Sequence, residues 1–393
     1  MVRRLQTLDS LRGLAALAVM FGHCLRVFPE FGNRPYAGPA SWTGWVLKRT
    51  PLGVFVDGHV AVLIFFVLSG LVLSLPFQRH PAPPYPVFIG KRIARLYPPY
   101  LAAVFLGGVL DALLARHLPR GDCAWLLTGN WAEPIDADTI WQYGLMLGQR
   151  VTLNNPVWSL DYEMRISLLL PLLLLPMRHL GAAGAALCGG VLGVMGVVLL
   201  SGAGSGLVQA AGQTAYYGSL FLLGALIATQ IGRLRASSAP ALSVGLALLA
   251  WAIFFLSWRD TLLAFGAAAL ISAVLMPGPI ERFCMTRPAR FLGRISYSLY
   301  LVHVPVLLCM LAVLHRLLPA GVIVVLAVPA AVGAAMLFHR TVEAPSHRLS
   351  RAAGRLTPQC QASAASAPDR TSAAQAAATM PAVPTHVTQD TRK

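Results

Sequence analysis

Polar and apolar residues alternate along this chain in long blocks. Stretches of about twenty residues made mostly of Leu, Val, Ala, Phe and Gly are separated by segments rich in Arg, Asp, Ser and Pro. A helix needs about 20 predominantly apolar residues to cross a hydrocarbon core. The blocks therefore predict about ten spanning helices, near residues 10–28, 54–76, 96–115, 157–177, 182–201, 212–231, 240–257, 260–277, 296–315 and 319–339. Asp9 or Ser10 reads as the N-cap of the first. A polar stretch, 117–156, interrupts the series; it carries Asp122, Glu133, Asp136 and Asp138, and a short helix is expected around Thr139–Leu147.

Charge orients this pattern. Arg79, Lys91, Arg92 and Arg95 fall in one inter-helix segment, Arg178 in another, then Arg233 with Arg235, then Arg282, Arg287, Arg290 and Arg294. Arg340, Arg348, Arg351 and Arg355 follow the last helix. These are alternate loops, and the loops between them hold fewer basic residues and most of the acids. By the positive-inside rule, with an even number of helices, both termini are expected in the cytoplasm. The fold class expected is an all-α polytopic membrane helix bundle. Residues 1–350 form one transmembrane domain, and 351–393, which becomes Ala, Ser, Thr, Pro and Gln, form a disordered cytoplasmic tail.

Composition agrees. Of 393 residues 56% are hydrophobic and 12% charged, where soluble domains carry roughly 25% charged residues. The net charge of +16 is accounted for by the topogenic loops. No basic stripe interleaved with aromatics points to nucleic acid. The cysteines include no CxxC pair, so no zinc or dithiol motif is indicated. Cys24, Cys188, Cys284 and Cys309 read as small apolar fillers, and Cys123 stands alone in a loop. Met1-Val2-Arg3-Arg4 resembles a basic leader, but Asp9 and Arg12 interrupt the apolar run after it, so an uncleaved first helix is expected.

Ionisable residues inside spanning helices are costly and mark function by default. Arg12 and His23 share the first helix. Eleven residues is close to three turns, so they lie on one face about 16 Å apart. Asp9 is within pairing reach of Arg12. The functional reading is a guanidinium that holds an anion or a developing oxyanion, plus an imidazole that takes a proton near pH 7. The structural alternative is a snorkelling arginine and a hydrogen-bonded buried histidine. Lys91, Arg92 and Arg95 would suit the phosphates of a nucleotide donor, or serve only as topogenic charge. Asp161, Glu163 and Arg165 crowd the start of the fourth helix, where Glu163 could orient His23 or the group could be an interfacial salt-bridge cluster beside Trp158. His303 reads as structural, and Ser69-Gly70 as a helix-packing site. Asp57 and His59 open the second helix. No GxSxG, HExxH or P-loop pattern occurs.

Taken together, six segments resemble the acyltransferase 3 family of membrane O-acyltransferases. They are Leu8-Asp9-Ser10-Leu11-Arg12-Gly13-Leu14-Ala15-Ala16-Leu17 with His23; Phe65-Phe66-Val67-Leu68-Ser69-Gly70; Lys91-Arg92-Ile93-Ala94-Arg95-Leu96-Tyr97-Pro98; Pro156-Val157-Trp158-Ser159-Leu160 with Glu163; Ile295 to His303; and Val342-Glu343-Ala344-Pro345. Each is weak alone, but their order and spacing over residues 5–348 are specific. The resemblance implies a ten-helix bundle in the bacterial inner membrane that acylates cell-surface or lipid-linked carbohydrate. Its key arginine and histidine fall on Arg12 and His23, its RxxR element on Arg92 and Arg95, and its glutamate on Glu163. One departure is Leu63, where many members carry an acid before the Phe-Phe-Val-Leu-Ser-Gly run. Some members also carry a fused SGNH esterase-like domain; here a short tail stands in its place, so a second transfer step would need a separate periplasmic partner.

The expectation is therefore that acetyl-CoA or another acyl-CoA docks from the cytoplasm on Arg92, Arg95, Lys91 and Arg12, with no metal. His23, oriented by Glu163, would deprotonate an acceptor hydroxyl arriving from the other side. Direct transfer and an acyl-histidine relay both fit. The rival readings are a carrier or flippase for a lipid-linked sugar, which would move substrate without releasing thiol, and a non-catalytic scaffold, which leaves the Arg12–His23 spacing unexplained.

Overall fold

In a computed structural model, residues 2–28, 31, 46–47, 50–78, 81–119, 129–147, 152–202, 204–237, 239–257 and 259–353 are described. Fourteen α-helices run through them: α1 Val2–Leu25, α2 Gly58–Ser74, α3 Tyr85–Leu114, α4 Ala137–Gly144, α5 Trp158–Leu173, α6 Leu175–Leu180, α7 Ala182–Ser201, α8 Gly206–Ala236, α9 Pro240–Leu256, α10 Asp260–Leu275, α11 Pro279–Cys284, α12 Arg287–Leu314, α13 Ala320–Phe338 and α14 Ala344–Ala353. No strand occurs among the described residues. Seven helical stretches are long and apolar enough to cross a membrane; α9 and α10 are apolar but shorter. A helix stands at each of the ten expected places, although α5, with 16 residues, ends at Leu173, three residues before Pro176. The expected tail from 354 onward, Asp122 and Cys123 lie outside the described residues.

Two expected boundaries move. α1 begins at Val2, so Asp9 and Ser10 are interior residues and not an N-cap; the Ser10 hydroxyl donates back to the Gln6 carbonyl at 2.9 Å. α3 begins at Tyr85, so Lys91, Arg92 and Arg95 lie within the helix. The short helix is α4, capped by Asp136, whose carboxylate accepts from Thr139 N at 2.7 Å. Asp57 caps α2 by accepting from His59 N and Val60 N. The His59 ring meets Asp260 at 2.7 Å and so ties α2 to α10.

α1 is central: it packs along α12 and α2 and touches α10. The α1–α12 crossing is closed by Gly13 and Gly293, since a Cβ at Gly13 would lie 2.4 Å from Gly293 N. α2 and α8 meet in the same way at Gly70 and Gly224, where an added Cβ would lie 2.0 Å from the carbonyl oxygens of Phe221 and Val67 respectively. Small residues let helices approach where lipid supplies no hydrophobic drive between them. Large apolar side chains remain exposed on the bundle's outside, among them Val194 and Val198 on α7 and Val325 and Leu337 on α13. A lipid-facing surface takes this form. After α13 a π-helical turn, His339–Glu343, redirects the chain so that α14 packs on α3. Ser346 and Ser350 donate to the carbonyls of Ala94 and Lys91 at 2.6 and 2.8 Å.

Candidate active site

α1, α2, α3, α5, α12 and the π turn enclose a cavity of about 260 Å³ at the arginine-rich end of the bundle. Arg12, Arg92, Arg95 and Arg294 line it, with Asp9, Glu163, Glu343, His339 and His347. Its remaining wall includes Phe65, Phe66, Ser69, Ser159, Tyr297 and Tyr300. Four of the expected site residues, Arg12, Arg92, Arg95 and Glu163, thus come together here from three helices.

Their pairing differs from expectation. Glu163 does not meet His23. Its Oε1 accepts from Arg92 Nη2 and from the Ser69 hydroxyl, the latter at 2.9 Å. Arg92 Nε donates to Ser167 Oγ at 3.0 Å, and that hydroxyl donates to the Glu163 carbonyl at 2.6 Å. The arginine and carboxylate side chains are only 7% and 12% exposed, so the pair is structural cement between α3 and α5 as well as a wall of the cavity. The acid cluster at the start of α5 also disperses: Asp161 is buried, its Oδ1 without a hydrogen-bond partner among the described residues, and Arg165 donates to the carbonyls of Met146 and Leu147. Asp9 stands near Arg12 and Arg95 without an ion pair to either. Lys91 is exposed and off the cavity wall, because Arg92 and Arg95 take the inward face of α3.

His23 is not on this wall either, so Arg12 and His23 do not share one cavity. The histidine lies about 16 Å further along α1, beyond Tyr300, whose hydroxyl hydrogen-bonds Ser159 at 2.7 Å. The Tyr300 ring is 6.1 Å from that of His303, and His303 Nε2 is 3.0 Å from His23 Nδ1. Reading the protons from the acceptors resolves the pair. His303 Nδ1 faces the Leu299 carbonyl at 2.9 Å, which can only accept, so that nitrogen carries hydrogen. Neutral His303 then presents the Nε2 lone pair to His23, and His23 Nδ1 donates to it, sharing the proton with the Val19 carbonyl at 3.1 Å. The Nε2 of His23 is left as a lone pair, with Asn155 beside the ring. His23 is 8% exposed and His303 1%, so both are buried and His23 slightly less deeply. Sequence reading missed the contact of His303 with His23, as well as the places of Arg294, His339, Glu343 and His347 on the cavity wall. Glu343 accepts from Ser298 Oγ at 2.5 Å and contacts His339 Nδ1 at 2.9 Å. The spacing of His339, Glu343 and His347, four residues apart, was a signal available in the sequence.

This arrangement can hold a polyanion at one level and move a proton at another. Among the described residues no group of three or more His, Cys, Asp or Glu could hold a metal ion.

Comparison with known proteins assigns a family. A family model described as an acyltransferase domain matches residues 5–340. Among curated proteins, the chain is 30% identical over 205 residues to acyltransferase MdmB of Streptomyces mycarofaciens, an alignment covering 48% of this chain and 46% of that protein. The match thus spans less than half the length of that relative. No solved structure matches significantly.

Proposed function

The chain belongs to the acyltransferase 3 family, and on that premise we propose that it moves an acyl group, acetyl in the first instance, from acyl-CoA to a hydroxyl of a cell-surface or lipid-linked carbohydrate. It does so as a multi-pass protein of the bacterial inner membrane with both termini in the cytoplasm. The donor enters the arginine-walled cavity from the cytoplasmic end, where Arg12 and Arg95 face its negative groups. The acceptor approaches His23 from the opposite end.

At His23 the Nε2 lone pair removes the proton of the acceptor hydroxyl as its oxygen attacks the thioester carbonyl. The carbon–sulfur bond breaks, and the imidazolium returns the proton to the departing thiolate. His303 fixes the tautomer in which Nε2 is the base, a role that an expected Glu163 contact would otherwise have filled.

The observation carrying this reading is the succession, along α1, of an arginine in a cationic cavity and a histidine whose Nδ1 is engaged by the Val19 carbonyl and by His303, which leaves Nε2 for a substrate. The test is coenzyme A release from acetyl-CoA by purified protein with candidate glycans. His23→Ala should abolish transfer while the protein still inserts and purifies as a monodisperse species. Full activity in that variant refutes the assignment.

A further inference from the structure

Beside the cavity lies a second groove, of about 580 Å³, walled by Gln6, Asp9, Arg287, Arg290, Phe291 and Arg294. Asp9 and Arg294 belong to both walls, so groove and cavity share a rim. Arg287, Arg290 and Arg294 are three and four residues apart at the start of α12 and therefore lie on one face. All three are exposed.

Two other arginines of this bundle pair with carboxylates, Arg92 with Glu163 and Arg235 with Glu281, while several outside the groove, among them Arg282, Arg340 and Arg348, make no ion pair among the described residues, so it is the concave wall that sets the α12 group apart. The three on α12 make no ion pair among the described residues, and neither do Arg12 and Arg95 deeper in. Around groove and cavity together, six arginines face only the carboxylates of Asp9, Glu163 and Glu343. That excess positive charge suits a ligand carrying several phosphates. Topogenic charge alone requires neither a concave wall continuous with the cavity nor an aromatic side chain set among the arginines.

We propose that this groove binds the nucleotide end of the acyl thioester: Arg287, Arg290 and the shared Arg294 extend the cavity's arginine wall along its phosphates, and Phe291 offers a face to its purine. The inference rests on the acyl-CoA reading above and extends it to residues outside the cavity. α12 itself supplies the ruler. Arg290 and His303 are on one helix, about 20 Å apart along its axis, so an extended donor lies along α12 with phosphates at one end and thioester at the other. An anionic lipid headgroup is the competing occupant.

The experiment compares two donors, acetyl-CoA and S-acetylpantetheine, which carries the same thioester arm without the nucleotide. Full-length wild type and the Arg287→Gln/Arg290→Gln variant are assayed for thiol release in detergent and in liposomes with and without anionic lipid. The expected result is a KM for acetyl-CoA raised about tenfold, kcat unchanged, and no change with S-acetylpantetheine. Adenosine 3′,5′-bisphosphate should inhibit wild type and lose potency against the variant. Arg287→Lys/Arg290→Lys preserves the insertion signal and should give an intermediate KM, which carries the test if the Gln variant inserts poorly. An unchanged KM, or an equal change with both donors, overturns the groove assignment and leaves the acyltransferase reading standing. An effect seen only with anionic liposomes assigns the arginines to lipid and overturns it as well. Absence of thiol release by wild type from either donor removes the acyl-CoA reading and this inference with it.

Discussion

His303 Nε2 stands 3.0 Å from His23 Nδ1, joining residues 280 positions apart. On the mechanism proposed above, the contact sets which nitrogen of His23 would act as the base, and it yields a prediction that separates positioning from packing. His303→Leu should lower kcat about a hundredfold while leaving KM for the donor unchanged, since no donor-binding arginine is touched. His303→Gln keeps a hydrogen-bond acceptor near the former Nε2 and should recover part of the loss. Steady-state thiol release measures both. Equal activity in Leu and Gln variants means that the acceptor is irrelevant.

The Arg92–Glu163 pair predicts a different signature. Removing one partner of a buried ion pair strands the other, at a cost of about 3–5 kcal/mol. Glu163→Ala and Arg92→Ala should each lower thermal stability in detergent, and the double variant should lose less than the sum. Strict additivity would show that the two residues do not act as a pair.

Arg12 makes no ion pair among the described residues although it lines the cavity. Its substitution should therefore cost function with little stability. Arg12→Gln should reduce kcat/KM for acyl-CoA by about 10²-fold with a melting temperature close to that of wild type. A melting temperature that falls in step with activity would recast Arg12 as structural.

Where α2 crosses α8, Gly70→Ala and Gly224→Ala would each drive a methyl group into a facing carbonyl 2.0 Å away. Backbone cannot yield as a side-chain tip can, so each change should destabilise the bundle by about 1–3 kcal/mol or more. Size-exclusion profiles in mild detergent should show aggregation. Monodisperse, active protein would mean that the helices can separate without cost.

Much of the architecture was legible in the sequence because hydropathy is a local property. Helices stand at the ten expected places, and the errors were at their ends. Asp9 and Ser10 resemble a cap, yet the helix runs through them, and the Ser10 hydroxyl is satisfied by the Gln6 carbonyl one turn earlier. Within the candidate site, Arg12 was readable because charge in an apolar helix has few explanations, and Arg92 and Arg95 because they form a basic cluster with three-residue spacing. Lys91 was not separable from its neighbours until the face of α3 was known. Glu163 was assigned to the wrong partner, since sequence supplies its charge and not its distance from two competing cations. His303 looked structural because a histidine in an apolar helix commonly satisfies itself against its own backbone, as it does here through Leu299.

Sequence alone determined that the chain forms an all-helical membrane bundle, and which helices carry charge, since segment length, periodicity and loop charge act within a few turns of each residue. Only the tertiary structure decided who meets whom: Arg92 with Glu163, His23 with His303, Tyr300 between the cationic cavity and the histidine pair. Hydrogen bonds demand placement within a few tenths of an ångström. That placement is set by how closely glycine lets helices cross, a property of pairs of helices that neither one carries by itself.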